Sequence, residues 1–471
     1  MAIKVAIIGG GVAGVTAALT LGNLGIDTTL FEQSKTLISG PPFCHLHAGG
    51  NLYREISDTQ CLTLLRQSIE FAKLYPFAID KRPTIFATPT YDPHQPIDVL
   101  PRLELLRKEY QKLIKKDSTN KVLGEANNYY ELFSREQLEE IAKREIIDNP
   151  TSNEEWLIPF AKNLDFNSIK FPVIVIQEYG INLFRVAANS GLALESMNSV
   201  EIFRESKVYN IKESNNKFNI YYSGKFSGEL EIDYIINAAG FRTGIIDDML
   251  NVKEQRLVEF KAAYTTKWGK RCSKWAEVVF HGVRGTNRGM GQFTPYCGGI
   301  VQLHAMTPDI TLFNDGLVSS SDSSSYPKLD KKYIDIIENG WSQELQDKRT
   351  KRAIEYLSHF FPNFKDAKVG GKPLFGAQQI PGDDPSLRVA EVSFPKERYA
   401  RCEIVKVSSV NDMARAIIED LSKYFKIDKK DNLFDIRELK LLNDRDITKR
   451  AYEVAIKLGY PKIMGKRCNR L

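Results

Sequence analysis

The chain has 471 residues, 42% of them hydrophobic and 26% charged, the composition of a globular protein with two or three cored units and not of a disordered or fibrous chain. Its 65 basic and 59 acidic residues leave a net charge of +6, too balanced to argue for nucleic-acid binding. The six cysteines, at 44, 61, 272, 297, 402 and 468, lack any paired short spacing, so neither a disulfide framework nor a zinc site is expected and the thiols read as reduced, in a cytoplasmic protein.

Residues 3–8, IKVAII, predict a strand buried on both faces of a parallel sheet, reached at once from the N-terminus with no signal peptide. Gly9, Gly11 and Gly14 then give the spacing G-x-G-x-x-G, followed by an Ala- and Leu-rich helix ending near Gly25 and a second strand, 27–31, that ends at Glu32. Each part has a physical purpose in binding a dinucleotide. Gly9 permits the tight turn, Gly11 lets a pyrophosphate approach the backbone, and Gly14 lets helix and strand pack closely. The helix start, with Val12 and Ala13, offers free N–H groups and partial positive charge to phosphates. Glu32, 18 positions after Gly14, suits the ribose hydroxyls, with Gln33 beside it. Residues 5–26 carry no charge, but their glycines and the turn after Ile8 argue against a membrane span.

Further along, FCHLHAGGNLYRE (43–55) packs two histidines and a glycine pair into a bend. In an extended segment His45 and His47 would share a face without further ligands, so a metal site is not expected. Residues 81–160 read as an insertion, with a strand in RPTIFATP and charged helical patterns around 101–116 and 134–148. SKVYNIKES, KFNIYYSG and EIDYIINAAG predict a meander, the last strand ending in the small residues Ala238, Ala239 and Gly240, as needed where backbone passes close to a cofactor. Two strand-like runs, 277–281 and 299–304, flank a glycine-rich loop, and His281, Arg284, Arg288, Gln292, Tyr296 and His304 gather there. A polar linker at 319–330 leads into a helical region, 331–361. Residues 398–425 predict a strand, a Ser/Asn turn with Asn411 as a candidate cap, and an amphipathic helix. Residues 427–471 read as an appended helical extension whose basic end, PKIMGKRCNRL, is a solvated tail that would also suit an anionic membrane surface.

The glycine fingerprint ending in Glu32, the distant strand ending Ala-Ala-Gly and a late strand-to-helix turn together resemble the D-amino-acid oxidase-like flavoprotein superfamily. That group includes glycerol-3-phosphate dehydrogenase, L-2-hydroxyglutarate oxidase and malate:quinone oxidoreductase. The resemblance implies an α/β fold: a Rossmann-type FAD-binding domain (1–80, 165–250 and 370–426) and an α+β substrate domain on a large, mostly antiparallel sheet (81–164 and 251–369). FAD is the implied cofactor. His47, Ala48, Gly49 and Tyr53 match a histidine-alanine-glycine segment that runs past the flavin ring. For His47 a flavin-side proton-handling role, a structural role in the bend and covalent FAD attachment all stay open. Val208 is placed at the adenine side. Lys406, Ser408 and Ser409 are placed at the flavin's pyrimidine end, although KVSSV stands where the family usually has Gly-His-Gly.

The expected function is oxidation of a small anionic 2-hydroxy or 2-amino acid by hydride transfer to FAD. His47, His281 or His304 would handle protons and Arg284 or Arg288 would hold a carboxylate. Electrons would pass to oxygen, a quinone or another protein, and quinone use would suit a peripheral place on the inner face of the cell membrane. A second glycine fingerprint, usual where a nicotinamide reduces the flavin, is not found in the sequence. Two alternatives are an NAD(P)H-dependent monooxygenase, faintly echoed by PGDD at 381–384, and a non-catalytic FAD-binding module.

Overall fold

The computed structural model describes residues 3–40, 54, 56–269, 274–428 and 432–468. The first strand, β1 (Lys4–Ile8), lies at the heart of a six-stranded sheet. Its neighbours are β2 (Asp27–Glu32) on one side and Tyr234–Asn237 on the other, both parallel to it. Val200–Arg204 extends the sheet beyond β2, and Tyr399–Cys402 and Val392–Lys396 complete the other edge. The helix α1 (Val12–Asn23) crosses between β1 and β2, buried from Ala13 to Leu21. This is the Rossmann-type β-α-β unit that the apolar strand, glycine turn and helix predict.

Three antiparallel strands, Ser206–Ser214, Lys217–Gly224 and Gly228–Ile232, form a meander, but the run expected as its last strand divides, and Tyr234–Asn237 belongs to the six-stranded sheet. They close a separate apolar cluster in which Val208, Phe218 and Ile220 pack with Ile8 and Phe31. The second large element is a ten-stranded sheet. Its long strand Arg256–Lys267 pairs with four others, and its one parallel pair among the described residues joins Glu277–Phe280 to Thr84–Pro89. A strand at Gly291–Pro295 runs through what the sequence presents as a glycine-rich loop, pairing with both flanking strands. Two strands fall on the other side of the division drawn from the sequence: Ile169–Ile176 and Leu374–Pro381 hydrogen-bond into the ten-stranded sheet. Their side chains alternate or run apolar like those of their neighbours, so pattern alone could not say which sheet they join.

A buried polar network fixes one sheet against the other. Asp247 accepts from Arg256 of the large sheet at 2.8 Å and from Tyr399 of the six-stranded sheet at 2.5 Å, and pairs with Arg401 at 3.4 Å. Asn237 donates to the Tyr399 hydroxyl at 2.6 Å. Burial raises the Asp247 carboxyl above its usual range, and Arg401 and Arg256 oppose that.

The C-terminal extension is no solvated tail. Its helix Asp444–Lys457 packs on Leu183–Glu195. Buried Arg185 binds Asp444 at 2.5 Å, and Asn182 donates to the Met464 carbonyl at 2.7 Å. The chain end then reaches the large sheet, where Cys297 and Cys468 form a disulfide with Cα atoms 5.6 Å apart. This corrects the expectation of reduced thiols throughout: residues 171 positions apart carry no spacing signal and meet only because the extension docks. Cys402 is a buried free thiol, and Cys61 is buried as well.

Candidate functional site

The glycine turn is built from close approaches. Gly9 has φ +108°, and a Cβ there would lie 2.3 Å from the carbonyl oxygen of Ala238. A Cβ on Gly14 would lie 1.9 Å from the carbonyl oxygen of Gly9. Gly11, at the N-cap of α1, has nothing within 4 Å and faces open space. No side chain caps this helix, so its first N–H groups remain available to an anion. Glu32 ends β2 with its carboxylate turned back to the turn. Its Oε2 accepts from the Gly10 N–H at 2.7 Å and its Oε1 from the Ser34 N–H at 2.6 Å. Burial raises this carboxyl above its usual range, partly offset by the bonds from Ser34 and Gly10.

From Gly11, Val12 and Ala13 a cavity of about 590 Å³ runs to the large sheet, in the range of small-molecule sites. Ala238, Gly240 and Phe241 line it near the turn, and Val405, Lys406 and Val407 line another wall. Its far end carries Lys261, Arg284, Gln292, Gln302 and His304. The two strands Gly291–Pro295 and Ile300–Ala305 place Gln292 directly opposite His304. Among the described residues, five basic ones (Lys261, Arg284, His304, Arg388 and Lys406) line the cavity and no Asp or Glu does, which favours an anionic occupant.

Six of the residues expected at the nucleotide meet at this cavity. Gly11, Val12, Ala13, Ala238, Gly240 and Lys406 line it. Gly9, Gly14 and Glu32 shape the turn behind it, and Gln33 is exposed. Ser408 and Ser409 are buried behind the wall, where Ser409 donates to Gln67 at 2.9 Å. Asn411 does not cap the following helix. Ser409 holds that position, with no side-chain bond, and Asn411 sits in the first turn. Val208 is off the cavity in the meander's apolar cluster. Glu205, just before it, donates its backbone N–H to the Ser34 carbonyl at 3.2 Å, which holds this segment beside the Glu32 turn. His47, Ala48 and Gly49 lie outside the described residues.

The four candidates on the large sheet separate. His304 and Arg284 line the cavity. His281 is buried behind it, edge-on to Phe86 at 4.3 Å, and its Nδ1 has no hydrogen-bond partner among the described residues. Arg288 stacks over Tyr91 at 4.9 Å in a separate outer cleft and does not reach the cavity. Sequence reading missed Lys261, Gln302, Gln378 and Arg388. A signal existed for the first: RLVEFKAAYTTK puts Arg256, Glu259 and Lys261 among the apolar residues at the start of a long strand, and buried charges in a strand need partners. Among the described residues no group of His, Cys, Asp and Glu could hold a metal ion, and no helix is long and apolar enough to cross a membrane.

A family model described as pyridine nucleotide-disulphide oxidoreductase matches residues 3–125, the part that carries the glycine turn and Glu32. No curated protein is matched by sequence. Solved structures are matched over nearly the whole chain. The glycine oxidase of Geobacillus kaustophilus is similar over 92% of this chain and 98% of its own, with TM-score 0.58 and 12% identity. The L-α-glycerophosphate oxidase of Mycoplasma pneumoniae, solved with FAD bound, covers 91% and 97%, with TM-score 0.55 and 14% identity. The L-amino acid deaminase of Proteus vulgaris covers 92% and 96%, with TM-score 0.56 and 13% identity. The chain has the fold of these proteins: a Rossmann-type α/β unit beside an α+β unit on a large, mostly antiparallel sheet.

Proposed function

We propose that the chain is an FAD-dependent oxidoreductase that oxidises a small anionic 2-amino or 2-hydroxy acid. The carrying observation is the single cavity that joins the open start of α1 to the basic end on the large sheet. FAD fits the residues present. The space at Gly11 accepts a pyrophosphate, and the Glu32 carboxylate is fixed by two N–H groups with lone pairs to spare for ribose hydroxyls. Bound there, FAD supplies a two-electron acceptor.

The chain's own residues bind and orient. Arg284 and Lys261 hold the substrate's carboxylate, and His304 takes the proton from its hydroxyl or amino group. Gln292 and Gln302 fix its polar atoms on the sheet, and Met290 and Met306 help exclude water. Support for the substrate class comes from the lining's basic excess and from the named activities of the similar structures, which act on amino acids or glycerophosphate. Electrons then leave to oxygen, a quinone or a protein.

Purified protein is tested by anaerobic bleaching of its flavin absorbance with a panel of 2-amino and 2-hydroxy acids and with glycerol 3-phosphate. Bleaching by one class supports the reading; absence of flavin from protein supplied with FAD overturns it. Acid precipitation shows whether the flavin is covalently held. A second reading, reduction by NAD(P)H, is favoured by the family match over residues 3–125. That segment contains the glycine turn common to both readings, and rapid bleaching by NADPH alone would select it.

A further inference from the structure

An anion-binding pocket with a carboxylate buried beside its cations weakens its own attraction for anions, so the carboxylate needs an explanation. Glu259 and Lys261 lie two residues apart in the strand Arg256–Lys267 and so project from the same face. Glu259 is 5% exposed. Its two oxygens form ion pairs with two cavity-lining cations, Lys261 at 2.6 Å and Arg284. Gln378 completes the cluster. Its amide donates to the Val405 carbonyl at 2.8 Å, which turns its oxygen to accept from Lys261 at 3.0 Å. The third nearby cation, Arg388, donates to the carbonyls of Pro385 and Leu387 in its own loop at 3.0 and 2.8 Å. Lys261 and Arg284 therefore share one carboxylate, and the trio carries a net charge of +1.

We infer that Glu259 is a specificity-determining residue that sets the charge at the Lys261–Arg284 end of the substrate pocket, so that this end accepts one carboxylate and rejects a second negative group. The inference rests on the reading of the cavity as a site for an anionic substrate and narrows it to monocarboxylates over dicarboxylates and phosphate monoesters. The physical basis is repulsive. A second negative group brought to Lys261 and Arg284 meets a fixed negative charge that cannot move into water, and discrimination of this kind comes from unfavourable pairing with the wrong ligand. Glu259 touches neither substrate nor cofactor and acts through the two cations it holds.

The test uses the full-length protein saturated with FAD and compares wild type, Glu259→Gln and Glu259→Asp. Binding of propionate and of succinate is read by thermal shift and by calorimetry at constant ionic strength. Turnover is read as the ratio of kcat/KM for monocarboxylic over dicarboxylic acids. Wild type is expected to prefer propionate, Glu259→Gln to shift the ratio toward succinate by about tenfold or more, and Glu259→Asp to restore the wild-type preference. A preference of the wild type for succinate, or a ratio unchanged in Glu259→Gln while the protein still melts cooperatively and retains flavin, overturns the inference. If neither anion binds any of the three proteins, the anion pocket itself is lost, and the proposed substrate class falls with it.

Discussion

The carboxylate of Glu32 accepts a hydrogen bond from the Gly10 N–H at 2.7 Å, closing the end of β2 onto the turn that opens α1. On the proposed reading, the ribose acceptor is thus held by the same loop that meets the phosphates. Replacing Glu32 by Ala removes this brace and the acceptor together. FAD affinity is expected to fall about 10- to 100-fold, at about 1.5–3 kcal/mol for hydrogen bonds to a charged group, measured by flavin fluorescence on dialysis. Unchanged retention of FAD would contradict the assignment.

Gly14 should tolerate no side chain. A Cβ there would overlap the Gly9 carbonyl at 1.9 Å, and both atoms belong to backbone that cannot swing away. Gly14→Ala is expected to cost about 2–4 kcal/mol of stability and to lower FAD occupancy, as read in denaturant melts of the apo and holo forms. Gly11→Ala, with open space at its Cβ, should fold normally and lose only cofactor affinity.

Burial lowers the pKa of Lys261 below its ordinary 10.5. Glu259 partly offsets this, and Arg284 and Arg388 press it further down. Lysine holds an anion only while protonated, so propionate affinity should fall on the alkaline side at a lower pH than for an exposed lysine. Between the folded value and 10.5 the unfolded chain binds more protons, so this group makes stability rise with pH in that window. Lys261→Arg should move the alkaline loss of affinity upward. An alkaline limb identical in both proteins would exclude Lys261 as its source.

The two arginines of the glycine-rich segment should part company. Arg284→Gln is expected to raise the substrate's KM about tenfold or more, because it removes a cation from the cavity. Arg288→Gln, in the outer cleft over Tyr91, should stay within about twofold of wild type. Steady-state kinetics on the same substrate decides between them.

For the docked extension, peptide mapping without reductant should find the Cys297 and Cys468 peptides joined. Asp444→Asn should destabilise by about 1–2 kcal/mol, since it leaves buried Arg185 without its carboxylate while Asp444 itself is partly solvated. Separate peptides, or an unchanged melting temperature, would show the extension to be loosely held.

The glycine-turn half of the candidate site was legible because its pattern is local. Gly9, Gly11, Gly14 and Glu32 sit within one strand-turn-helix-strand unit, and backbone geometry dictates their spacing. The substrate half was legible only as a neighbourhood. His304 and His281 both end up buried and near the site, but strand register sends one into the cavity and the other against Phe86, and a one-residue change in register would reverse them. Lys261 and Glu259 escaped notice because their role depends on Arg284 and Gln378, which lie 23 and 117 residues from Lys261 in the chain (284 − 261 and 378 − 261). The Cys297–Cys468 bridge and the docking of the extension are longer-range still, and nothing local announces them.

The topology of the six-stranded sheet has a consequence for how the protein is made. β1 and β2 belong to the first 32 residues, yet they are completed by Val200–Arg204, Tyr234–Asn237 and Tyr399–Cys402. The phosphate turn cannot be walled in by Ala238 and Val405 until more than four hundred residues have left the ribosome. Flavin capture must therefore follow synthesis of nearly all of that wall, and early in translation the apolar opening strand has to wait without its partners, exposed to aggregation. Cells short of the vitamin precursor should accumulate chains made past Val405 that lack the ligand, not stalled early fragments.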